Sequence, residues 1–517
     1  MRVPPEIGPN YRKGGILLVG RDPGSREVQL GRPFVGPAGQ LLDECLLAAG
    51  IRRENVAITN IVSEQPPGNV FARHHPEAVE RGRREFASLV DRLQPNLIVA
   101  LGNESSWTLV GEGIWPSTGR GVYGAAGILE RRGYFWRGAE GVGGAKVLTT
   151  LHPSYLARMG EGGKESAKFG VNAAIGKMLL TYDLERGRNE SHHAVLHRPT
   201  RDVRIVASAR NALLAGREIR RSRLVGVDIE NADARSVSCI GFAPSESVAY
   251  VYTPACLQNA LALCAEGFHK VFHNGQYDCY FLLTRYHCEV RGYTDDTSIA
   301  FHANWPELAG AAEGGGKRTH KSLRFLASLH TLDEFWKNYD FAFEEEEYTL
   351  NGRDCCITLS CGAALEAERA EMGTEAIYRH EMRLLWPLIR IEERGLQVNE
   401  EARRSAIDAL SGRATSLGLY LATLAQPVLE AERAKIERPN LFWRKKTCRS
   451  CRNGSKKRQS CESCNGVGQW EEFAFNPNSD EQVKILIYDV LKLPKRYRDG
   501  KLTTDESALK SLLGTLN

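Results

Sequence analysis

The 517-residue sequence contains no run of about 18 apolar residues, the length that a membrane-spanning helix needs. Its first residues, MRVPPEIGPNYRKGG, lack the apolar core of a signal peptide. No internal repeat of solenoid length is apparent. The formal net charge is only +5, which permits a nucleic-acid partner without requiring one. We therefore expect a cytoplasmic protein that does not bind a membrane.

Cysteine is scarce in the first part of the chain, where Cys45 stands alone among residues 1–238. The sequence has 13 cysteines, and four of them fall within residues 448–464. Disulfides are rare in cytosolic proteins. The clustering therefore indicates a metal site and not a disulfide framework.

At 57.4 kDa the chain exceeds what one hydrophobic core usually organises, so we expect an α/β protein of several domains. Residues 15–180 alternate apolar strand-like runs with amphipathic helical stretches, which is typical of a mainly parallel sheet covered by helices. We expect an α/β domain at residues 1–184 and a polar linker at 185–201. A second α/β domain is expected at 202–380, followed by a mostly helical segment at 381–517.

Three polar motifs follow predicted strands of the first domain: Gly20-Arg-Asp-Pro-Gly24, Ile58-Thr-Asn60 and Leu151-His-Pro-Ser154. Because the carboxyl ends of parallel strands converge on one crevice, Asp22, Asn60 and His152 are expected to meet there. Phe34 of the GRPFVG segment is expected nearby. A glycine turn such as the one at Gly20 brings backbone N–H groups close to a ligand. Taken singly, the three polar residues could be a helix cap, a turn residue and a core histidine.

Together these motifs resemble the uracil-DNA glycosylase superfamily over residues 15–160, and its family 4 above all. The family-4 pattern is GEAPG, GRPFVG.AG.LL, TN.VKCRPPGNR and HPAYLLR. The resemblance implies a parallel-sheet glycosylase fold that excises uracil from DNA. It implies that Phe34 stacks on the flipped base and that Asn60 reads its edge. His152 and backbone donors around Gly20 would stabilise the departing anionic base.

The first domain departs from family 4 at two places. Family-4 enzymes carry an iron–sulfur cluster on four cysteines, but Ser63-Glu64 stand where Lys-Cys would be, so no cluster is expected. Arg21 replaces the family-4 glutamate, while Asp22 matches the aspartate in the GQDPY motif of family-1 enzymes. We predict a hybrid glycosylase in which Asp22 orients water and Arg21 contacts a DNA phosphate. An inactive domain that binds uracil or DNA is the alternative.

Four acidic residues form an ordered set in the second domain. Asp228 and Glu230 stand at i and i+2 of a predicted strand, so both face one side of the sheet. Asp278 follows another strand, and Asp354 lies in a helical context. Converging carboxylates repel each other unless divalent cations neutralise them. Two Mg²⁺ or Mn²⁺ ions about 4 Å apart would do so and would support phosphodiester hydrolysis. The alternative is a set of unrelated surface acids.

Residues 222–365 resemble the proofreading 3′–5′ exonuclease domain of family-A DNA polymerases, phage-type ones especially, with motifs DIE, HN...D and YN..D...T. The resemblance implies a ribonuclease-H-like (DEDD) exonuclease fold. It implies that Asp228 bridges both ions, that Glu230 and Asp354 each hold one, and that Asp278 acts through water. Asn274, in the second motif, is expected to bind DNA.

The third exonuclease motif departs from the family pattern at its tyrosine. The family places a tyrosine four residues before the aspartate to orient the nucleophilic water, and this position is Leu350 here. Tyr348 lies six residues before Asp354, which on a regular helix points away from the i−4 face. Either the turn is irregular and Tyr348 substitutes, or activity relies on the metals alone.

Two further segments, 384–399 and 475–494, resemble the part of family-A enzymes that leads into the polymerase region, as does the following thumb-like LTTDESALKSLL. Nothing in the sequence resembles the palm carboxylates or the fingers helix. We therefore expect no DNA synthesis from this chain alone. The expected partners are DNA with a single-stranded 3′ end, uracil-containing DNA, and a separate polymerase subunit that supplies the palm and fingers.

An insert at 444–470 carries two CxxC pairs, separated by nine residues, that contain Cys448, Cys451, Cys461 and Cys464. This spacing suits four thiolates around a tetrahedral structural Zn²⁺. A redox role is the alternative, but it would need only one CxxC pair. Basic residues around the cysteines could contact a DNA backbone or form a solvated surface.

The sequence therefore predicts a DNA replication and repair protein, bacterial or phage-encoded in a bacterial host. A uracil-glycosylase-like domain would be fused to the exonuclease-bearing front of a family-A polymerase. The alternative is a non-catalytic DNA-binding accessory subunit that positions a separate polymerase subunit, with Arg21 and Leu350 as marks of two degraded sites.

Overall fold

A computed structural model describes residues 2–70, 74–110, 128–138, 142–159, 173–309, 321–336, 344–448, 461, 467, 469–498 and 501–513. The chain divides into two units, Met1–Gly395 and Leu396–Asn517. Both predicted α/β domains lie in the first unit. Within the described ranges, no helix is both long and apolar enough to cross a membrane.

The first sheet of unit 1 has the order β1-β3-β2-β4-β6-β5. Its central strands pair in parallel, β2 with β3 and β4, and β4 with β6, while the edge strands β1 and β5 pair antiparallel. Every residue of β2, β4 and β6 is buried, as expected for parallel strands with helices on both faces. The strands are β1 (Glu6–Ile7), β2 (Ile16–Gly20), β3 (Ala57–Asn60), β4 (Leu97–Leu101), β5 (Phe135–Arg137) and β6 (Lys146–Thr150).

Several helices around this sheet begin at a proline, whose fixed φ suits the first helical turn. The helices are α1 (Ser25–Leu30), α2 (Pro37–Ala48), α3 (Pro76–Leu93), α4 (Asn103–Val110), α5 (Ile128–Arg131), α6 (Pro153–Met159) and α7 (Ala173–Ser191). The predicted α/β alternation with parallel strands is confirmed.

Helix α7 runs into the segment that we predicted as a linker from residue 185. Its polar sequence is held as helix because it packs on the sheet: a Cβ on Gly187 would lie 2.9 Å from Leu148 Cδ2. The Lys146 Nζ donates to the Glu190 carbonyl (2.7 Å), and Asn96 Nδ2 donates to the Ser191 carbonyl (2.9 Å). The irregular connection therefore starts only after Ser191.

The second sheet of unit 1 has the order β12-β11-β8-β9-β10-β7. Strands β8, β9 and β10 form an antiparallel meander, and β7, β11 and β12 pair in parallel with their neighbours. β8 and β9 form a hairpin. The strands are β7 (Asp202–Val206), β8 (Val225–Asn231), β9 (Val237–Ser245), β10 (Val248–Tyr252), β11 (Lys270–Phe272) and β12 (Tyr293–Asp296).

Helices of the second α/β layer include the long α14, which packs on β8, β9 and β10. They are α8 (Ala209–Arg221), α9 (Leu257–Ala265), α10 (Gln276–Tyr286), α11 (Thr297–Asn304), α12 (Pro306–Ala309), α13 (Leu323–His330), α14 (Glu344–Met372) and α15 (Glu375–Arg394).

Helix α14 approaches the second sheet very closely, and glycines make this possible. A Cβ on Gly226 would lie 2.3 Å from the Cys355 carbonyl oxygen, and one on Gly241 would lie 2.2 Å from Asn351 Oδ1. A side chain at Gly226 would collide with the helix backbone, and one at Gly241 would displace the Asn351 side chain. The contact sets the position of every side chain that α14 presents to β8.

The two α/β layers share a hydrophobic cluster, in which residues of β5 pack with residues of α13 and α14. Polar contacts cross the same boundary. The Tyr134 hydroxyl donates to the Arg324 carbonyl (2.7 Å), and the Arg186 guanidinium donates to the carbonyls of Ser328 and Thr331. The layers are therefore packed together and are not tethered only by a linker.

Unit 2 contains α16 (Glu400–Ala431), α17 (Asp480–Lys484) with a π-helical continuation at Ile485–Val490, and α18 (Glu506–Leu513). Two short hairpins pair β13 (Trp443–Thr447) with β14 (Gln469–Phe473), and β15 (Tyr497–Arg498) with β16 (Lys501–Leu502). Leu429, Phe442 and Trp443 are part of its small core. We placed the start of the helical segment at residue 381, but α15 runs through that position.

Candidate functional site

The carboxyl ends of β2 and β3 form a crevice in the first α/β layer. Gly20 pairs with Asn60 across the parallel ladder, and a Cβ on Gly20 would lie 2.4 Å from Asn60 Oδ1 and 2.6 Å from Phe34 Cζ. The Phe34 ring lies 5.8 Å from the His152 ring, between centroids. The structure therefore brings together Gly20, Phe34, Asn60 and His152.

Phe34 is held in a left-handed backbone conformation, with φ +52°. Such a conformation costs free energy for a residue other than glycine and persists where its surroundings enforce it. Glu27 Oε1 accepts hydrogen bonds from the N–H groups of Val35 (3.1 Å) and Gly36 (2.8 Å), and Arg53 donates to the Phe34 carbonyl (3.2 Å). These hydrogen bonds therefore hold the backbone around Phe34 in this conformation.

His152 accepts a hydrogen bond at Nδ1 from the Ser154 N–H (3.0 Å). This contact assigns the proton of the neutral imidazole to Nε2. An N–H donor in this crevice has the chemistry needed to stabilise an anionic leaving base.

The Asp22 carboxylate lies beside the side chains of Arg21 and His74. The Arg21 guanidinium donates to both carboxylate oxygens (2.7 and 3.2 Å), and His74 Nε2 lies 3.6 Å from Oδ2. The Asp22 side chain is 2% exposed, and burial raises its pKa while Arg21 opposes that rise. Arg21 also lies 3.5 Å from Glu104. In the structure Arg21 lies between the carboxylates of Asp22 and Glu104, and its contact with a DNA phosphate stays a prediction.

The residues around Glu64 do not fit an iron–sulfur cluster. The Glu64 carboxylate accepts hydrogen bonds from Arg2 (3.0 Å) and Arg81 (2.6 Å), whereas such clusters are held by cysteine thiolates. Cys45, alone in the first 238 residues, is buried on α2. An ion-pair network of Arg2, Glu64 and Arg81 therefore occupies this position.

Three of the four predicted acidic residues converge in the second α/β layer. One carboxylate oxygen each from Asp228, Glu230 and Asp354 lies within 4.8 Å of the others. Asp228 and Glu230 share one face of β8, and α14 brings Asp354 to that face. Carboxylate oxygens are the ligands that Mg²⁺ and Mn²⁺ take. The donor set thus fits divalent cations.

Neutral donors orient two of these carboxylates. Asn351 Nδ2 donates to Asp228 Oδ2 (2.9 Å), and Trp336 Nε1 donates to Asp354 Oδ1 (2.6 Å). A carboxylate oxygen accepts more than one contact, so a hydrogen bond does not prevent the group from binding an ion. These two donors orient the carboxylates.

Asp278 lies outside this group of three but close to it. Its Oδ1 accepts a hydrogen bond from the Ile229 N–H (3.2 Å), between Asp228 and Glu230 in the chain. Burial above all, together with the charges of Asp296 and Glu230, raises the pKa of Asp278 to about 7. A buried carboxyl next to a cation site is a candidate for a group that exchanges a proton near neutral pH.

The third motif lies on a regular helix. Helix α14 runs without a break through Tyr348, Leu350 and Asp354. The Tyr348 ring packs with Cys239 and Val251, whereas Leu350 belongs to the cluster shared with the first layer. The irregular turn that would let Tyr348 take the place of Leu350 is not present.

Asn274, expected to bind DNA, is exposed in a left-handed turn after β11, with φ +62°. Asp296 accepts hydrogen bonds from the N–H groups of Asn274 (3.2 Å) and Gly275 (2.8 Å) and so fixes this turn. The turn leads directly into α10, which carries Asp278.

Sequence reasoning missed four residues at these sites: His74, Glu104, Asn351 and Trp336. Glu104 follows the end of β4, so the strand-end rule used for the other motifs could have found it. Asn351 stands inside the third motif, where no role was given to it. His74 and Trp336 come from irregular segments, and no spacing pattern marks either.

In unit 2, Cys448 and Cys461 lie close together, with 3.8 Å between their Sγ atoms. With Zn–S bonds of about 2.3 Å, tetrahedral geometry separates two thiolates by about 3.8 Å. The pair therefore fits two ligands of one zinc ion. Cys451 and Cys464, the other expected ligands, lie outside the described residues.

Comparison with known proteins identifies the first domain. Residues 9–173 match the uracil DNA glycosylase superfamily. The type-4 uracil-DNA glycosylase of Thermotoga maritima is 38% identical over 143 residues, which are 28% of this chain and 66% of that protein. The Pyrobaculum aerophilum enzyme is 42% identical over 103 residues, 20% of this chain and 52% of that protein. The chain thus spans between half and two thirds of these relatives, and its N-terminal part is a uracil DNA glycosylase superfamily domain.

Solved structures similar to this chain include the POL domain of Pol1 from M. smegmatis in complex with DNA primer-template and dNTP. That likeness has 17% identity and a TM-score of 0.35, and covers 60% of this chain and 45% of that one. Escherichia coli RNase D, an exoribonuclease, has 17% identity and a TM-score of 0.29, and the likeness covers 40% of this chain and 55% of that one.

We expect the full chain to bind one Zn²⁺ and Cys448→Ser to lose it, because three remaining ligands hold the ion less tightly. Cys45→Ser, which changes a cysteine of the first unit, should keep the zinc. Elemental analysis of protein purified without added metal measures the content. Absence of zinc from the unaltered chain would contradict the site.

We expect Asp278→Asn to change how stability depends on pH in EDTA. An unfolded aspartate has a pKa of about 4, whereas that of Asp278 in the folded chain is about 7. Stability from this raised pKa is fully present below about pH 4 and is lost as pH rises to about 7. Between about pH 4 and pH 7, the free energy of unfolding of the wild type should fall by about 1.4 kcal/mol per pH unit relative to that of the variant.

Thermal and urea denaturation across pH 4 to 8 would measure this difference. Asp202→Asn, which removes an exposed carboxylate on β7, controls for the loss of one charge. Parallel pH profiles for the wild type and Asp278→Asn would show that Asp278 titrates normally.

Proposed function

We propose that this chain is a DNA-processing enzyme whose second α/β layer removes nucleotides from the 3′ end of single-stranded DNA, using two Mg²⁺ or Mn²⁺ ions. The convergence of Asp228, Glu230 and Asp354 within 4.8 Å carries the proposal. The order of motifs along the chain supports an exonuclease over another metal-dependent hydrolase.

In this proposal the chain's own residues provide the binding and orientation. Asp228 would contact both ions, Glu230 and Asp354 would each hold one, and Asn351 would keep the Asp228 carboxylate turned toward them. When bound, the ions would supply a clamp on the attacking and leaving oxygens of the phosphodiester. Asp278 would hold a water or accept a proton beside the site. With Leu350 at the usual tyrosine position, no tyrosine is assigned to orient the water.

A second activity, excision of uracil, is proposed for the first domain. The superfamily match and the crevice of Phe34, Asn60 and His152 support it. Phe34 would stack on the flipped base, Asn60 would read its edge, and the His152 Nε2–H would stabilise the departing anion. Asp22 would stabilise the sugar cation, with Arg21 keeping this buried carboxylate ionised.

We also propose a partner, a separate polymerase subunit that supplies the palm and fingers. This proposal rests on the resemblance of residues 384–399 and 475–494 to the part of family-A enzymes that leads into the polymerase region. A chain without either activity would instead be a non-catalytic DNA-binding accessory subunit.

We expect Asp228→Asn to reduce 3′→5′ degradation by about 10³-fold or more, because metal clamping contributes several kcal/mol and each 1.4 kcal/mol is tenfold. The assay follows a 5′-labelled single strand in Mg²⁺, with EDTA as the metal-free control. Asp202→Asn is the matched variant, since it removes an exposed aspartate and should keep full activity. Degradation that persists in Asp228→Asn or in EDTA would contradict the proposed site.

Uracil excision is expected to proceed in EDTA, which separates it from the exonuclease, and to leave abasic sites that alkali cleaves. His152→Ala and Asp22→Asn should each slow it by about 10²-fold or more, the usual effect of removing one preorganised electrostatic group. Arg21→Ala should also slow uracil excision strongly, because the substitution leaves the buried carboxylate of Asp22 without its counter-charge. Arg26→Ala, at an exposed arginine of α1, serves as the control.

Two outcomes would overturn the glycosylase proposal. One is the absence of abasic sites with the wild-type chain. The other is new activity on restoring the family-4 residues, Arg21→Glu with Asp22→Ala, where the parent has none. Either result would leave a domain that only binds DNA.

A further inference from the structure

Residues 331–336, which we call the strap, contact both α/β layers. The strap leaves the C-terminal end of α13 and is described up to Trp336. It crosses from the surface of the first layer to the acidic residues of the second. Its two ends make quite different contacts.

At its far end, the strap contacts a proposed metal ligand. The Trp336 side chain is buried, and its Nε1–H donates to Asp354 Oδ1 (2.6 Å). An indole N–H can only donate, so it cannot compete with the carboxylate for a cation. The hydrogen bond fixes the plane of the Asp354 carboxylate.

The preceding residue is bound by the first layer. The Phe335 ring packs edge-on against Tyr134 (5.5 Å between centroids) and lies 6.2 Å from Trp136 of β5. The Arg131 guanidinium lies over the same ring, 4.8 Å from its centroid. Aromatic and cation–π contacts of this kind have preferred geometry, so they define where Phe335 sits.

The first half of the strap is held by an ion pair and by hydrogen bonds. Arg201 donates to both oxygens of Asp333 (3.0 and 2.6 Å), and both side chains are nearly buried. Arg186, on α7 of the first layer, donates to the Thr331 carbonyl (2.6 Å). A displacement of the first layer would therefore move Trp336.

We propose that Trp336 is a positioning residue for the metal ligand Asp354, and that the uracil-glycosylase-like domain forms part of the exonuclease site by holding the strap. The expected effect on nuclease activity rests on the proposed exonuclease function. The expected effect of Trp336 on metal binding does not depend on that function. Groups that hydrogen-bond a metal ligand typically change metal affinity or activity by about 10- to 100-fold when they are removed.

The test compares two tryptophans of the full chain. Trp336→Phe keeps an aromatic ring and removes the donor to Asp354. Trp305→Phe is the matched control, because Trp305 Nε1 donates to Glu368 (3.0 Å), which is not one of the three converging carboxylates. Mn²⁺ binding is measured by electron paramagnetic resonance of the free ion, and thermal denaturation checks that each variant is folded.

We expect Trp336→Phe to raise the Mn²⁺ dissociation constant of at least one ion by about tenfold or more. The Mg²⁺ concentration for half-maximal nuclease activity should rise in parallel, while the KM for the oligonucleotide changes less than about twofold. Trp305→Phe should bind Mn²⁺ like the wild type. Wild-type Mn²⁺ affinity in Trp336→Phe would overturn the inference, and so would equal losses in both variants.

A second variant tests the role of the first layer. Phe335→Leu preserves an apolar side chain at a half-buried position but removes the ring contacts with Tyr134, Trp136 and Arg131. It should weaken Mn²⁺ binding in the same direction as Trp336→Phe, and unchanged binding would refute the link to the first layer. A wild type that binds Mn²⁺ but does not degrade DNA would disprove the proposed function and leave this test valid. A wild type that binds no Mn²⁺ would overturn both.

Discussion

The close contact between α14 and the second sheet is the constraint on which the acidic site depends. Gly226 and Gly241 leave no room for a side chain, so the helix backbone and Asn351 lie directly against β8 and β9. At this distance Asp354 has to share a small volume with Asp228 and Glu230. Packing therefore forces carboxylates together that electrostatics would separate, and the cations that we propose would offset the resulting repulsion.

The carboxylates at the two sites of unit 1 accept hydrogen bonds from different kinds of side chain. Asp22 is paired with a guanidinium of the same chain, so its charge is balanced within the protein. Asp228 and Asp354 accept hydrogen bonds from the neutral side chains of Asn351 and Trp336, which orient them. The first arrangement suits a reaction without a metal, and the second suits cation binding.

Periodicity and strand-end rules predicted the parts of both sites that belong to regular elements. The i, i+2 spacing on β8 placed Asp228 and Glu230 on one face, and the ends of β2 and β3 brought Gly20 and Asn60 together. The rules could not predict contacts made by long side chains, such as the pairing of Arg21 with Asp22. Nor could they place Trp336, because its position depends on the packing of one layer on the other. The same tertiary packing extended α7 into a segment whose composition predicted a linker.

The most direct test is X-ray diffraction from crystals of the full chain soaked in Mn²⁺, with anomalous scattering to locate the ion. The account predicts an anomalous peak within about 2.2 Å of carboxylate oxygens from Asp228, Glu230 and Asp354. Peaks only at other places, or none at these three carboxylates, would contradict it.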